Sequence, residues 1–478
     1  MVPEIGLTPQ TVQRFRQRLG LTIDVLHSGI TDRARQNTWL RARDGEARVI
    51  IGTRSAIFLP LKNPGLIIVD EEHDASYKQQ DGLRYSARDL ALIRAQRLDV
   101  PVVLGSATPS MESLANAQRQ RYTRLSLPLR AGSAKPPRVQ VVDLRARPLT
   151  ENLSAPLVEA MREHLARGEQ VLLFLNRRGY APTLICHACG WTAQCQRCDA
   201  TLTVHHQSGQ LRCHHCGSVR SIPTSCTDCG TANLRMLGYG TERTEQVLGE
   251  LFDGVPVSRV DRDTMARKDA LENLLNTLRQ GGAHILIGTQ MLTKGHDFPN
   301  ITLVGVLNAD HGIHGTDFRA PERMAQMVIQ VTGRAGRGDK AGRVLLQTYH
   351  PEHPLFVHLM RQDYTAFAAE TLSEREAAEL PPFSHMALLR AESPEREQAM
   401  TFLQAILPTS DDEALQILGP LPAPMEKRAG RFRAQLILMH PQRVGLQRLL
   451  QQWIPAIEQH PLARKVRWSI DVDPQDTF

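Results

Sequence analysis

Long apolar runs are missing from this chain, and cysteine is missing from most of it. The longest runs, such as LIIV at 66–69 and VLLFL at 171–175, fall far below the ~18 apolar residues that suggest a membrane span. The opening MVPEIGLTPQ has neither a basic n-region nor an apolar h-region, so no secretory leader is expected. No membrane partner follows, and the expected location is the cytoplasm. The dipeptide Gly-Lys occurs nowhere, which leaves this sequence without a phosphate-cradling GxxxxGKS/T loop.

What is there is ordinary in bulk. A length of 478 residues argues for about three domains, and 41% hydrophobic with 22% charged residues is the composition of a globular protein with sizeable cores. The net charge of +7 and the pI of 9.1 favour a polyanionic partner, nucleic acid before membrane, because no basic amphipathic anchor accompanies them.

All eight cysteines lie between Cys186 and Cys229, as four CxxC pairs: Cys186/Cys189, Cys195/Cys198, Cys213/Cys216 and Cys226/Cys229. A redox CxxC explains one such pair and not four. Eight thiolates make two closed tetrahedral zinc sites, structural because no coordination position stays open. Four pairs combine into two sites in three ways. Residues 190–194 are too short for the first two knuckles to fold back on one ion. The longer stretch 199–212 alternates and turns at Ser208-Gly209 like a hairpin. This favours nesting: Cys186, Cys189, Cys226 and Cys229 on one zinc, Cys195, Cys198, Cys213 and Cys216 on the other. His187, His214 and His215 are then expected in solvent.

The chain opens with a helix signature of Thr8, Pro9 and Gly20, with Val12, Phe15 and Leu19 on one face. Short apolar runs follow at 48–52, 66–70 and 102–105. A second series stands at 171–175, 255–260, 284–288, 303–307 and 343–347, and such runs read as buried parallel strands between helices. Two α/β lobes result, 1–145 and 146–350, with a Pro- and Arg-rich linker near 127–149. The cysteine block, 184–236, is inserted in the second. From 351 to 478 the alternating ALLRAE and QLILMH segments suggest a separate α+β domain. Its basic run Lys427, Arg428, Arg431 and Arg433 reads equally as a solvated loop or as a phosphate contact.

The run LIIV delivers Asp70, Glu71, Glu72 and His73 to a strand's carboxyl end, where open parallel sheets bind ligands. Two acids there suit Mg²⁺ binding by Asp70 and water activation by Glu71. Gly105, Ser106, Ala107 and Thr108 follow the next strand. Near the end of the second lobe, Arg334 and Arg337 at i, i+3 put two guanidiniums on one helical face, as reaching a γ-phosphate requires.

In this order, DEEH, GSAT, GTQMLTKGHDFP (288–299) and QVTGRAGR (330–337) resemble motifs II, III, V and VI of superfamily 2 helicases. The cysteine block after LLFLNRRGYAP (172–182) narrows the resemblance to the primosomal protein N′ family, and VPEIGLTP (2–9) and GTRSAIFLPL (52–61) look like motifs Ia and Ib. The resemblance implies two RecA-like lobes, a two-zinc insertion and a C-terminal α+β domain. It implies an ATP- and Mg-dependent DNA helicase of 3′ to 5′ polarity that recognises forked DNA and restarts replication. The implied partners are forked and single-stranded DNA, single-strand DNA-binding protein, other primosome proteins and the replicative helicase.

Residue by residue, the resemblance puts hydrolysis on Asp70 and Glu71 and coupling to DNA on His73, Ser106 and Thr108. Gly295, Asp297, Gln330, Arg334 and Arg337 would meet the nucleotide. Thr53, Arg54 and Thr289 would meet the single-strand backbone. Tyr77, Lys78, Arg84 and Tyr85 interleave aromatic with basic groups, suiting base stacking beside phosphate contact. The family carries a P-loop upstream of motif Ia. Met1 is therefore expected to be internal to a longer protein, the first lobe to lack part of its core, and this chain alone to lack ATPase activity. The rival reading is a zinc-stapled DNA-binding or interaction scaffold without enzymatic activity.

Overall fold

The computed structural model describes residues 1–3, 8–128, 136–145, 149–150, 152–175, 183–186, 189, 191, 193–197, 202–205, 209–213, 218–232, 234–237, 241–260, 270–288, 298, 300–307, 309–312, 317–336 and 340–477. They form two compact units, one of residues 1–129 and the other holding nearly all the rest. Among the described residues no helix is long and apolar enough to cross a membrane.

The first unit carries α1 (Thr8–Leu19), β1 (Ile23–Leu26), α2 (Asp32–Asp44), β2 (Val49–Gly52), β3 (Ile67–Asp70), α3 (Ala87–Leu98), β4 (Val102–Gly105) and α4 (Met111–Gln118). The strands pair in parallel as β1–β2 and β3–β4. Val2 N donates to Gly52 O at 2.9 Å and Asp70 N to Met1 O at 3.0 Å, so the opening residues lie between β2 and β3. The core is divided into small clusters, one of Ile57, Ile67, Val69, Tyr77 and the α3 alanines, another of Val2, Val12, Ile23 and Ile51. Ile68 and Val103, paired across β3–β4, are each 44% exposed. Of the expected α1 face only Val12 is buried; Phe15 and Leu19 are 41% and 48% exposed.

In the second unit the elements run β5 (Arg138–Asp143), β6 (Leu149–Thr150), β7 (Leu153–Ser154), α5 (Ala155–Ala166) and β8 (Gln170–Leu175). The cysteine block follows with β9 (Thr183–Cys186), β10 (Thr203–His205), β11 (Gln210–Arg212), β12 (Val219–Ser221) and β13 (Leu234–Leu237). Then come α6 (Thr241–Leu251), β14 (Val257–Val260), α7 (Ala270–Arg279), β15 (His284–Gly288), β16 (Ile301–Leu307), α8 (Ala320–Thr332), β17 (Arg343–Thr348), α9 (Pro354–Arg361) and α10 (Tyr364–Ala377). A parallel sheet of order β14-β15-β8-β16-β17-β5 forms its centre. Strands β8, β15 and β16 are buried along their whole length, which is why their sequences are continuous apolar runs.

Strand β5 corrects the expected boundary at 145. Arg138–Asp143 lie in register with Arg343–Thr348 of β17, so this segment belongs to the second lobe's sheet. The remaining elements, β18 (His385–Ser393), α11 (Arg396–Ala405), β19 (Gln416–Arg428), β20 (Arg431–His440), α12 (Arg443–Gln459) and β21 (Arg467–Val472), make an antiparallel sheet of order β19-β20-β18-β21. Phe402, Leu446, Leu450 and Trp453 of α11 and α12 pack on its inner face.

Candidate functional site

Strand β3 ends at Asp70, and the chain turns there at once: Glu71 sits in the left-handed region with φ 47°, and Asp70 Oδ1 accepts its backbone N–H at 3.1 Å. A non-glycine residue held in that region marks a place where surrounding structure overrides local preference. The turn splits the acids. Asp70 is exposed and Glu71 half-buried, whereas Glu72 goes inward. Glu72 accepts from Ser110 N at 2.7 Å, Ser113 Oγ at 2.9 Å, Ser110 Oγ at 3.1 Å and Arg88 Nη1 at 3.2 Å. Burial works against the Arg88 charge, but Asp89 and Glu72 outweigh it and hold the guanidinium protonated.

His73 Nδ1 stands 2.7 Å from Ser106 Oγ, which also accepts the Thr108 N–H at 2.9 Å. It is 3.6 Å from Glu71 Oε2. One imidazole therefore joins the β3 acids to the loop after β4. The Glu72 network, which ties the same two segments, has no signal in the sequence beyond an acid's position. Glu72→Ala leaves Arg88 buried without that partner, and a loss of about 3–5 kcal/mol is expected in denaturant unfolding. An unchanged midpoint would show that the network contributes nothing.

Gly52 precedes Thr53 because a Cβ there would stand 2.5 Å from Ala56 Cβ and 2.7 Å from Leu26 O. Thr53 stands just before a short 3₁₀ turn without a side-chain capping bond, and Arg54 Nη1 donates to Ser76 O and Lys78 O at 3.0 and 2.9 Å. Arg54 thus ties the segment after β2 to the one after β3. Tyr77 corrects the stacking expectation: it is 2% exposed, with its hydroxyl donating to Asp70 O at 2.7 Å. Burial raises its pKa, with Asp70, Asp74, Glu71 and Glu72 adding to the shift, so the hydroxyl stays a donor. Lys78 is buried as well. Tyr85 packs edge-on against Phe58 with ring centroids 4.8 Å apart, and Arg84 beside it is half-buried.

In the second unit α8 carries Gln330 and ends at Thr332, where Gly333 N donates back to Ile329 O at 2.9 Å. Arg334 lies in the turn that follows, its N–H on Val331 O at 2.9 Å, and is buried. The expected helical face is thus a helix end. Gly336, at φ 67°, donates to Ile301 O, and a Cβ on it would come within 2.6 Å of Gly342 N. That close approach is what Gly336 of QVTGRAGR serves. Arg337, Thr289, Gly295 and Asp297 lie outside the described residues.

The cysteine block repeats one turn. Cys186 N donates to Trp191 O at 2.7 Å, Cys213 N to Ser218 O and Cys226 N to Thr231 O, both at 2.8 Å. Four sulfurs, of Cys186, Cys189, Cys226 and Cys229, lie within 4.8 Å of one another, with Cys186–Cys229 and Cys189–Cys226 at 3.6 Å. A tetrahedron with Zn–S bonds of about 2.3 Å has edges of about 3.8 Å, so the set fits the ion. Thr231 Oγ, 3.3 Å from Cys229 Sγ and 3.5 Å from Cys186 Sγ, is placed to donate to thiolates. For the inner set, Cys195 Sγ is 3.5 Å from Ser218 Oγ, which brings its knuckle beside that of Cys213; β10 and β11 form the expected hairpin. Cys198, Cys216, Ser208, His187, His214 and His215 lie outside the described residues.

The basic run of the last domain is the β19–β20 hairpin end. Ala429 and Gly430 take φ 53° and 79° at its turn, Gly430 N donates to Arg197 O of the cysteine block, and Arg197 Nη2 donates to Ala429 O at 3.3 Å. Lys427 Nζ lies 5.1 Å from the Phe432 ring, and Arg433 is buried with Glu392 Oε1 at 3.4 Å. The tip of the turn is thus bonded to the cysteine block, while Arg428, Ala429 and Gly430 stay exposed and only Arg433 of the basic run is buried.

Residues 1–117 match the DEAD/DEAH box helicase family and 235–339 the helicase conserved C-terminal domain. Residues 195–220 match the PriA DNA helicase Cys-rich region domain, and 376–475 the primosomal protein N C-terminal domain. The replication restart protein PriA of Rickettsia felis is 37% identical over the whole chain, which covers 74% of it. The chain belongs to the PriA family. PriA of Haemophilus influenzae is 51% identical over 100% of the chain and that of Bacillus subtilis 40% over 99%; the chain spans 65% and 60% of their lengths. The motif resemblance is borne out.

Proposed function

We propose that this chain is the motor and zinc-bearing part of an ATP-dependent DNA helicase, acting 3′ to 5′ on forked DNA to restart replication by assembling the primosome. The observation that carries the reading is the hydrogen bond between His73 and Ser106, which lets a change at the acids reach the loop after β4. Asp70, exposed at a parallel strand's carboxyl end, offers a carboxylate to a hydrated Mg²⁺, which neutralises phosphate charge when bound. Glu71 orients the attacking water. On the motif resemblance, Gln330, Arg334 and Arg337, with Gly295 and Asp297, would meet the nucleotide. Unwinding assays on partial duplexes of either polarity, with the whole protein, test this; displacement only from a 5′ single-stranded arm would overturn it.

Two structural zincs stiffen the cysteine block as a projection for strand separation or partners, among them single-strand DNA-binding protein and the replicative helicase. Thr53, Arg54 and Thr289 follow the single strand. Each phosphate-neutralising arginine contributes roughly 0.7 to the slope of log K against log[salt] on single strands. Arg54→Ala is expected to lower the slope by that amount, measured by fluorescent single-strand titration at several salt concentrations. An unchanged slope would confine Arg54 to its bonds with Ser76 and Lys78.

A second reading applies to the chain by itself. The sequence has no Gly-Lys dipeptide, hence no phosphate cradle, which suits a zinc-stapled DNA-binding scaffold without ATPase activity.

A further inference from the structure

The start of α8 is held by a buried charge cluster that the hydrolysis motifs do not account for. Arg375, on α10 at the entry to the last domain, is 3% exposed, and its Nη2 lies 2.7 Å from Glu322 Oε2 in the first turn of α8. The same guanidinium donates to Phe318 O at 3.5 Å and to Pro381 O at 3.4 Å. Its Cζ stands 5.0 Å from the Phe318 ring centre, and Arg319 Cζ is 4.9 Å from it. Glu322 also lies 4.0 Å from Arg319 Nη1, and its Oε1 accepts from Gln326 Nε2 at 3.3 Å, which reaches Tyr364 OH at 3.4 Å. Two arginines thus flank one ring and share one carboxylate where the second lobe meets the last domain.

A buried cluster of this kind is weak as a source of net stability, since an apolar pair of similar volume often does as well. What it supplies is geometry, because a guanidinium fork has few ways to meet a carboxylate, two carbonyls and a ring together. We propose that Arg375 is a positioning residue: by fixing the first turn of α8 it sets where Gln330 and Arg334 stand at the other end of that helix. From Glu322 to Thr332 is about 15 Å of rigid helix, so a tilt of about 4° at the cluster displaces the far end by about 1 Å. A displacement of that size far from the chemistry can cost up to about 10²-fold in rate. The inference rests on the reading of Arg334 as a nucleotide-directed arginine.

The test uses the whole protein, with kcat and KM for ATP measured at saturating single-stranded DNA. Rates are taken per nucleotide-binding site, counted with fluorescent ADP, so that misfolded protein is not scored. The double variant Arg375→Met with Glu322→Leu removes the charges together and keeps the volume. Its kcat is expected to fall about 10- to 100-fold with KM within twofold of wild type, because an arginine that acts on transition-state charge enters kcat. Arg375→Lys, which keeps the charge but not the fork, should show the same split more weakly and serves if the double variant does not fold. Wild-type kcat per site in whichever variant folds overturns the proposal and leaves the cluster as packing. Arg334→Ala is the separate control: if it retains wild-type kcat, the reading of motif VI fails, whatever Arg375 does.

Discussion

Arg337→Ala is expected to lower DNA-stimulated ATP hydrolysis by ~10³-fold or more in a version of the protein extended at its amino terminus by a segment carrying GxxxxGKS/T. An arginine that meets γ-phosphate charge as it develops acts on the transition state more than on the ground state, so the loss should fall on kcat with KM for ATP little changed. Arg334 is buried in the turn after α8, with Gly336 closing against Gly342 behind it. Arg334→Ala should therefore lower the unfolding midpoint as well as kcat. Steady-state kinetics with thermal melts separates them, and full activity in Arg337→Ala would remove that residue from the site.

Loss of zinc is the second large effect. Elemental analysis is expected to find two zinc ions per chain, and Cys186→Ser or Cys226→Ser to abolish one while Cys195→Ser or Cys213→Ser abolishes the other. Structural tetrathiolate sites supply on the order of 10 kcal/mol or more of folding free energy to small metal-bound folds. The block's strands β9 to β13 are short, and Cys195 and Cys213 sit inside its core beside Leu202, Val204 and Leu211. A chelator should melt these strands while the fully buried β8, β15 and β16 persist. Because Gly430 N and Arg197 O join the β19–β20 turn to the inner knuckle, hydrogen exchange at that turn should rise too. One zinc per chain, or loss of both ions from Cys195→Ser alone, would defeat the nested assignment.

The features that could be read from sequence were those with short range or strong pattern. Strands buried on both faces carry unbroken apolar runs, so β8, β15 and β16 were legible, and CxxC spacing placed Cys186, Cys189, Cys226 and Cys229 on one ion site. Strand β5 was not, because RVQVVD lies in a Pro- and Arg-rich passage and its partner β17 is some two hundred residues away. Tyr77 and Lys78 read as a stacking ring beside a phosphate contact because alternation cannot tell an exposed ring from one whose hydroxyl is needed at Asp70 O. Arg334 was placed on a helix because its spacing to Arg337 suits one; the Gly333 turn ends α8 first. Glu322 and Arg375 are 53 residues apart, and nothing local marks either as the other's partner.

In the proposed function, the β3 acids and the arginines of motif VI serve ATP turnover driven by DNA. The most direct measurement compares ATP hydrolysis, with and without forked DNA, by this 478-residue chain and by the version extended to include GxxxxGKS/T. The prediction is DNA-stimulated turnover in the extended version, abolished by Glu71→Gln, and no turnover above background in the shorter chain. Equal turnover by both would contradict the need for a phosphate cradle, and absence of turnover in the extended version would leave a zinc-stapled scaffold as the correct description.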